Sequence, residues 1–382
     1  VTAVVLRGDA RRLPLPDGCV DLIVTSPPYF GLRSYTDDGA HYDGQIGSEA
    51  TPGEWLAALV GCTAEWVRVL KPSGSIFVNL GDKYNSRTVP DAAPKSLLGL
   101  PWRYALACMD QLGLILRRDI IWSKPNGLPE SVTDRCRSSH EYLFHLVRQP
   151  RYYAAVDEIR EPHTADPPHR PGRNAMQARN VSLPGGMAPW SGPNPLGKLP
   201  GSVWDIPSQP LTVPARLGVD HFAAFPMELP RRCVLGWSPP GVCTACGEGR
   251  RPVTDKSYAR RHGTSGFKKD GNEPFGRLNG TGMAGKPVMD MQVAITGYAC
   301  ACPEPDAPVR PALVVDPFGG TGCTALVAAA YGRTGVSVDL SMDYARLAKW
   351  RTNDPAERAK ALQVPKPPPV PDGQGSLFDE AS

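Results

Sequence analysis

Hydrophobic residues fall into short runs that alternate with stretches of helical spacing. Ala3 to Leu6 is one run, ending at Arg7-Gly8-Asp9. Asp21-Leu22-Ile23-Val24 is another, ending at Thr25-Ser26-Pro27-Pro28-Tyr29. From Trp55 to Leu70 the side chains of Trp55, Leu59, Trp66, Val69 and Leu70 lie near helical spacing, and Pro72-Ser73-Gly74 closes that segment. Ser75 to Leu80 reads as a strand, 97–112 as a helix stopped by Gly113, and 114–122 as the next strand. After residue 310 the rhythm returns. Leu313-Val314-Val315 runs into a glycine-rich turn, Thr324 to Tyr331 is a small apolar helix, Gly335 to Val338 is a strand ending at Asp339, and a helix begins after Ser341. Short strands alternating with helices predict an α/β fold: a mostly parallel sheet covered by helices on both faces.

The middle, roughly 161–310, breaks the pattern. Runs such as Asp166-Pro167-Pro168-His169-Arg170-Pro171-Gly172 cannot propagate a helix or a ladder, so this zone reads as loop and small-module material. Neither flanking zone has enough strands to close its own sheet, which favours one domain with a long insertion over two separate α/β domains. From Pro365 the chain reads as an extended tail.

Composition narrows the class. Among 382 residues, 41% are hydrophobic and 21% charged, a globular balance. Gly (39) and Pro (42) are too abundant for a compact helical protein and lack the period of collagen. No apolar stretch is long enough to span a membrane, and the arginine-bearing start is unlike a signal peptide. The expected location is therefore the cytoplasm, where ten cysteines need an explanation other than disulfides. A net charge of +4 says little about partners; its distribution matters more.

Two motifs carry chemistry. Asp316-Pro317-Phe318-Gly319-Gly320-Thr321-Gly322 follows a predicted strand and opens a helix, a context that suits a nucleotide-like ligand facing the helix-start amides. Asp339 ends the following strand, where an acid can accept from both hydroxyls of a ribose. The spacing is not that of dinucleotide binders, and no Lys-Ser/Thr follows, so an adenosyl ligand without phosphates fits better than a pyrophosphate. A plain tight turn is the alternative. Thr25-Ser26-Pro27-Pro28-Tyr29 sits at a strand's end, where open α/β sheets place their sites. Its hydroxyl, proline carbonyls and aromatic ring make a pocket for a flat ring bearing an NH2 group; a structural Pro-Pro stop is the bland reading.

Together, Ser-Pro-Pro-Tyr and Asp-Pro-Phe-Gly-Gly-Thr-Gly resemble the S-adenosylmethionine-dependent amino-methyltransferases of DNA, which methylate cytosine N4 or adenine N6. The catalytic motif precedes the cofactor turn, as in the circularly permuted beta class. Gly8-Asp9, Asn79 to Asp82, Asp119 to Asn126, Ser139-His140-Glu141 and 221–226 agree with it. The resemblance implies a Rossmann-like fold. It also implies that Phe318, Gly319, Gly320 and Gly322 line the cofactor, with Asp316 beside the methionine moiety, Asp339 on the ribose, Asp9 near the adenine amine, and Phe225-Pro226 closing over the methionine end. Ser26, Pro27, Pro28 and Tyr29 would form the target-base pocket, with Lys124, Asn126, His140 and Glu141 as rim candidates. Double-stranded DNA is then the partner, its base flipped out of the helix, and a cognate restriction endonuclease is a candidate partner. Ser26 favours cytosine N4, because many adenine enzymes carry Asp there. Adenine N6, methylation of a protein glutamine amide, and a zinc-containing DNA-binding protein without catalysis are the other readings.

Cys243-x-x-Cys246 and Cys300-x-Cys302 match a structural zinc site of four thiolates, with free cysteines or a redox pair as the alternative. The other six cysteines read as small core residues. Residues 248–270 carry seven Lys/Arg against three acids, and 165–203 carry four against one, so both could meet phosphates or be solvated loops. The organisation expected is a catalytic half at 1–160, target recognition at 161–203, a return segment at 204–240, a zinc-ribbon-like insertion at 241–308, a cofactor half at 309–363 and a disordered tail at 364–382.

Overall fold

The computed structural model describes residues 2–31, 36–37, 40–41, 45–85, 89, 92–127, 129–163, 194–219, 225–260, 289–304 and 306–368. The expected roles of 164–193, 221–224, 261–288 and the tail beyond 368 lie outside these residues.

In chain order the elements are β1 (Ala3–Arg7), β2 (Val20–Thr25), the short pair β3 (Thr36–Asp37) and β4 (Ala40–His41), α1 (Pro52–Val69), β5 (Leu70–Leu80) and α2 (Leu100–Leu112). Next come β6 (Ile115–Ser123), β7 (His140–Val147), β8 (Val203–Asp205), α3 (Glu228–Trp237), β9 (Val242–Cys243), β10 (Arg251–Arg260) and β11 (Met289–Ala299). The last part holds β12 (Val309–Arg310), β13 (Leu313–Asp316), α4 (Cys323–Ala330), β14 (Thr334–Asp339), α5 (Met342–Asn353) and α6 (Pro355–Ala361). They form two compact units. The first comprises Val1–Ile159, Pro200–Arg251 and Cys300–Ser382; the second comprises Arg160–Leu199 and Pro252–Ala299.

The first unit is built on an eight-stranded sheet ordered β1-β14-β13-β2-β5-β7-β6-β8. The early and late strands share it: β1 pairs parallel with β14, and β13 lies parallel between β14 and β2. Only β7 runs against its neighbours, β5 and β6. Because successive strand residues face opposite sides, Ile23, Ile76, Val78 and Val315 enter one core, with Trp55, Leu59 and Trp66 of α1 and Tyr104 of α2. Leu22, Val24, Phe77 and Val314 enter the other, with Leu229 and Val234 of α3 and Leu326 and Val327 of α4. Helices thus cover both faces of a mostly parallel sheet.

Local signals explain the boundaries. Thr51 caps α1 in a reciprocal box with Glu54, Gly113 closes α2 in the left-handed region (φ 64°), and the Ser341 hydroxyl caps α5 through the Tyr344 amide. Pro72-Ser73-Gly74, expected between helix and strand, instead lies within β5. Leu70 pairs with Val20 straight after the helix, and regular pairing resumes only at Ser75 opposite Leu22. The middle zone is also more structured than expected. It contains α3, which starts despite Pro230 because its first turn needs no amide there, and the long ribbon β10–β11 of the second unit. Most of the ribbon's described side chains are exposed, but β11 alternates: Val293, Ile295 and Gly297 are half-buried between the exposed Gln292, Ala294, Thr296 and Tyr298. Among the scattered cysteines, 62, 108, 233 and 323 are buried, but Cys136 is exposed and Cys19 half-buried. No described helix is long and apolar enough to cross a membrane.

Candidate active site

A cavity of about 380 Å3 opens in the first unit at the carboxyl ends of parallel strands. Gly8 and Asp9 follow β1, Ser26 to Tyr29 follow β2, Pro317 to Thr321 follow β13, and Leu340 and Ser341 follow β14; all line it. This is where a parallel sheet leaves loops free to carry chemistry. Tyr29 and Phe318, far apart in sequence, face the same space.

Of the residues singled out from sequence, Asp9, Ser26, Pro27, Pro28, Tyr29, Phe225, Phe318, Gly319, Gly320 and Asp339 line the cavity. Asp316, Gly322 and Pro226 do not, and each has another task. Asp316 is buried behind the turn, its carboxylate accepting from the Phe318 amide (3.1 Å) and the Thr324 hydroxyl (3.0 Å). Burial pushes its pKa up to about 7 against the pull of those bonds. Gly322 caps α4 at φ 74°, and a Cβ there would lie 2.9 Å from the Cβ of Ala348 on α5. Pro226 is buried in the turn that leads into α3.

Three amides of the glycine turn are bonded within it or to the end of β14. The Gly319 amide donates to Val338 O (2.8 Å), the Gly322 amide to Gly319 O (2.8 Å), and the Gly320 amide to Asp339 Oδ2 (2.8 Å). These three amides precede α4, whose first residue is Cys323, so their bonds shape the turn ahead of the helix start. Gly319 is required by a neighbour: a Cβ would fall 1.9 Å from Ser337 Oγ on β14. Asp9 is gripped by Arg11, whose backbone and guanidinium bond both carboxylate oxygens. Burial pushes the Asp9 carboxyl up, but those bonds outweigh it and hold it below its ordinary value.

The opposite wall is built from side chains of four strand ends, those of β2, β5, β6 and β7. Tyr29 Oη donates to Glu141 Oε2 (2.7 Å) and accepts from Asn79 Nδ2 (2.9 Å), which also donates to Glu141 Oε2 (2.7 Å). Ser26 Oγ lies 3.4 Å from Tyr29 Oη, and Lys124 Nζ pairs with Glu141 Oε1 while sitting over the Trp122 ring. Burial and the Glu141 charge drive the Tyr29 pKa well above the ordinary phenol value, so the hydroxyl stays protonated. The Trp55 indole N–H donates to the Pro28 carbonyl (3.0 Å), so of the two proline carbonyls expected to be open, Pro28's is occupied. Lys124 and Glu141 line the cavity, whereas His140 is exposed against Tyr142 and Asn126 is tied to the Ser208 backbone. Sequence reasoning gave no role to Asn79, Trp122, Gln45, Ile46 or Tyr344, which also line the cavity. Asn79 could have been found, since parallel pairing of β2 with β5 sets its strand end beside Ser26.

The four singled-out cysteines form a second constellation. The sulfurs of Cys243, Cys246, Cys300 and Cys302 lie within 4.8 Å of one another, and all belong to the first unit rather than to that of the ribbon. None lines the cavity. β9 and β12 pair antiparallel beside the cluster, and the Glu304 amide donates to Cys302 Sγ (3.4 Å). In the basic stretch that follows, Arg250 and Arg251 donate to the carbonyls of Ala307 (2.8 Å) and Ala154 (3.3 Å), so both have structural partners.

Comparison with known proteins matches this geometry. Residues 20–244 fit a DNA methylase family of N6 and N4 methyltransferases. The type II methyltransferase M.Cfr9I of Citrobacter freundii is 35% identical over 262 residues, 63% of this chain and 74% of that protein. M.SmaI of Serratia marcescens is 35% identical over 260 residues, 62% of this chain and 76% of that protein. A solved PvuII DNA methyltransferase (cytosine-N4-specific) shares the fold with a TM-score of 0.53 at 16% identity, covering 94% of this chain and 89% of that one. The chain therefore belongs to the DNA methylase family of N6/N4 amino-methyltransferases.

Proposed function

We propose that this chain is a site-specific DNA methyltransferase that uses S-adenosylmethionine to methylate the N4 amine of a cytosine flipped from the duplex. One observation carries the reading: a single cavity is lined both by Ser26-Pro27-Pro28-Tyr29 and by Phe318-Gly319-Gly320 with Asp339. Its volume falls within the roughly 300–1,000 Å3 of small-molecule sites. The amides of Gly319, Gly320 and Gly322 are already bonded, and the acids Asp9 and Asp339 line the same wall, which favours a ligand without phosphates. Phe318, Gly319, Gly320, Asp339, Asp9 and Phe225 would hold the cofactor, with Asp316, Gly322 and Pro226 bracing that wall from behind. When bound, S-adenosylmethionine supplies an electrophilic methyl group on a sulfonium.

The protein's own task is to make a poor nucleophile competent. A base's exocyclic amine delocalises its lone pair into the ring. Ser26 Oγ and the Pro27 carbonyl would accept its two N–H bonds and favour a pyramidal nitrogen, while the Tyr29 ring stacks on the base and fixes its approach. No enzyme nucleophile is needed. Extracting the base costs about a few kcal/mol, which contacts in the cavity must offset.

Cytosine is favoured over adenine by Ser26. Mass spectrometry of nucleosides from DNA treated with the protein and S-adenosylmethionine should reveal N4-methylcytosine; N6-methyladenine alone would overturn the base assignment. For DNA contact we favour 161–203 and the β10–β11 ribbon, since the major groove admits a two-stranded ribbon. A chain lacking 261–288 should then methylate with altered site preference. The type II methyltransferase relatives suggest a cognate endonuclease as functional partner.

The cysteine cluster fits a structural zinc ion. Four thiolates about 2.3 Å from a tetrahedral zinc lie about 3.8 Å apart, within the observed 4.8 Å envelope. Zinc bound there would cross-link the start and end of the insertion.

A further inference from the structure

Methylating an amine creates a proton that must leave. As the N–C bond forms and the sulfonium C–S bond breaks, the nitrogen takes up positive charge, and one N–H proton has to depart to give the neutral methylamine. Among the described residues, three carboxylates line the cavity: Asp9, Asp339 and Glu141. Asp9 is held by Arg11, and Asp339 accepts amides of the turn wall from Gly320 and Ser341. Glu141 is the one hydrogen-bonded to the Ser-Pro-Pro-Tyr wall.

Resting on the reading above, we propose that the amine's proton leaves through Ser26 Oγ and Tyr29 Oη to the Glu141 carboxylate. The amine's proton passes to Ser26 Oγ, the serine's own proton to Tyr29 Oη, and the tyrosine's to Glu141 Oε2. Both hydroxyls end as they began. The carboxylate becomes a carboxylic acid, balancing the lost sulfonium charge, and later releases its proton to water.

The geometry arranges each link. Tyr29 Oη already donates to Glu141 Oε2 at 2.7 Å, the direction in which the last proton moves. Ser26 Oγ and Tyr29 Oη are 3.4 Å apart, long for a hydroxyl pair, so this joint must tighten when a base is seated. Asn79 Nδ2 lies within 2.7 to 3.4 Å of Glu141, Tyr29 and Ser26, so one buried amide sets the spacing of all three. Its orientation is fixed, because exchanging its oxygen and nitrogen would set two acceptors 2.7 Å apart against Glu141. Lys124, paired with the other carboxylate oxygen, holds Glu141 with its Oε2 turned to the Tyr29 hydroxyl. The buried Tyr29 hydroxyl resists ionisation and so passes a proton on without storing a charge. Asn79 and Lys124 are positioning residues.

The test uses the full chain in single-turnover methylation, with DNA and S-adenosylmethionine both saturating, on wild type, Glu141→Gln, Tyr29→Phe and the double variant. Loss of general-base transfer should slow each single variant by about 100-fold or more. Affinities for DNA and S-adenosylmethionine should stay within about threefold, since no binding contact is lost. The double variant should be no slower than the slower single, because both break one chain. Either single variant transferring within about threefold of wild type, or losses that multiply in the double, would overturn the relay. Should Glu141→Gln lose its cooperative thermal transition, Tyr29→Phe alone decides, since it keeps the ring. A wild-type chain that methylates no DNA base overturns the parent reading, and the relay with it.

Discussion

The two walls of the cavity are made in opposite ways. The turn after β13 is local: its shape comes from closely spaced glycines, and its amides bond within the turn or to the adjacent strand end. The wall after β2 is assembled from a distance, with Asn79 from β5 and Glu141 from β7 converging on Tyr29, and Lys124 from just beyond β6 paired with Glu141. A wall of backbone holds a constant ligand with little side-chain chemistry. A wall of converging side chains can activate a variable one. On the proposed function, the first should be sensitive to added atoms and the second to lost charges or hydroxyls.

The sharpest break in that contrast is Gly319→Ala. Its Cβ would meet Ser337 Oγ at 1.9 Å, so the turn or β14 must shift. Overpacking of this kind costs about 1–3 kcal/mol, roughly tenfold or more in S-adenosylmethionine affinity if it is expressed there. Isothermal titration checks this. Adding Ser337→Gly should restore part of the loss, because that buried hydroxyl has no hydrogen-bond partner to give up. The Glu141 and Tyr29 variants should leave cofactor affinity intact, so the two sets of changes separate the walls.

A smaller effect comes from Asp316, beneath the glycine turn. With a folded-state pKa of about 7 against 3.8 unfolded, its contribution to stability is complete below pH 3.8 and is lost as the pH rises towards 7. Urea unfolding from pH 4 to 8 should show wild type losing stability relative to Asp316→Asn across that window. Parallel curves would mean that the carboxyl titrates normally.

The smallest effect on the cavity is expected from the cysteine cluster, which contributes nothing to its lining. Elemental analysis should find one zinc per chain. Cys246→Ser should lower the melting temperature while changing S-adenosylmethionine affinity by less than about twofold, as for independent sites. No bound metal in protein purified without chelator would remove zinc from the account.

Legibility in the sequence followed the same division. The strand–helix rhythm, the caps at Gly113 and Ser341 and each close cysteine pair could be read, because each depends on neighbours a few residues away, whereas a lining role for Phe318 came from the family resemblance. Sequence reasoning missed the ribbon β10–β11 although Met289, Met291, Val293 and Ile295 alternate with more polar residues, because β10 shows no such alternation and the surrounding zone is rich in Gly and Pro. Nor could it show the antiparallel course of β7, which depends on its partners β5 and β6.

By itself the sequence determined which residues could bear the chemistry: a hydroxyl, two prolines and an aromatic ring at one strand end, and glycines with two acids at another. Only the tertiary structure decided their employment. It placed Asp316 and Gly322 behind the cavity wall, occupied the Pro28 carbonyl with Trp55, and brought Asn79 and Glu141 onto the one hydroxyl of Tyr29, with Lys124 on the far oxygen of Glu141. The physical reason is that hydrogen-bond partners and desolvation are properties of neighbours in space, and a folded sheet makes neighbours of residues that the chain holds far apart.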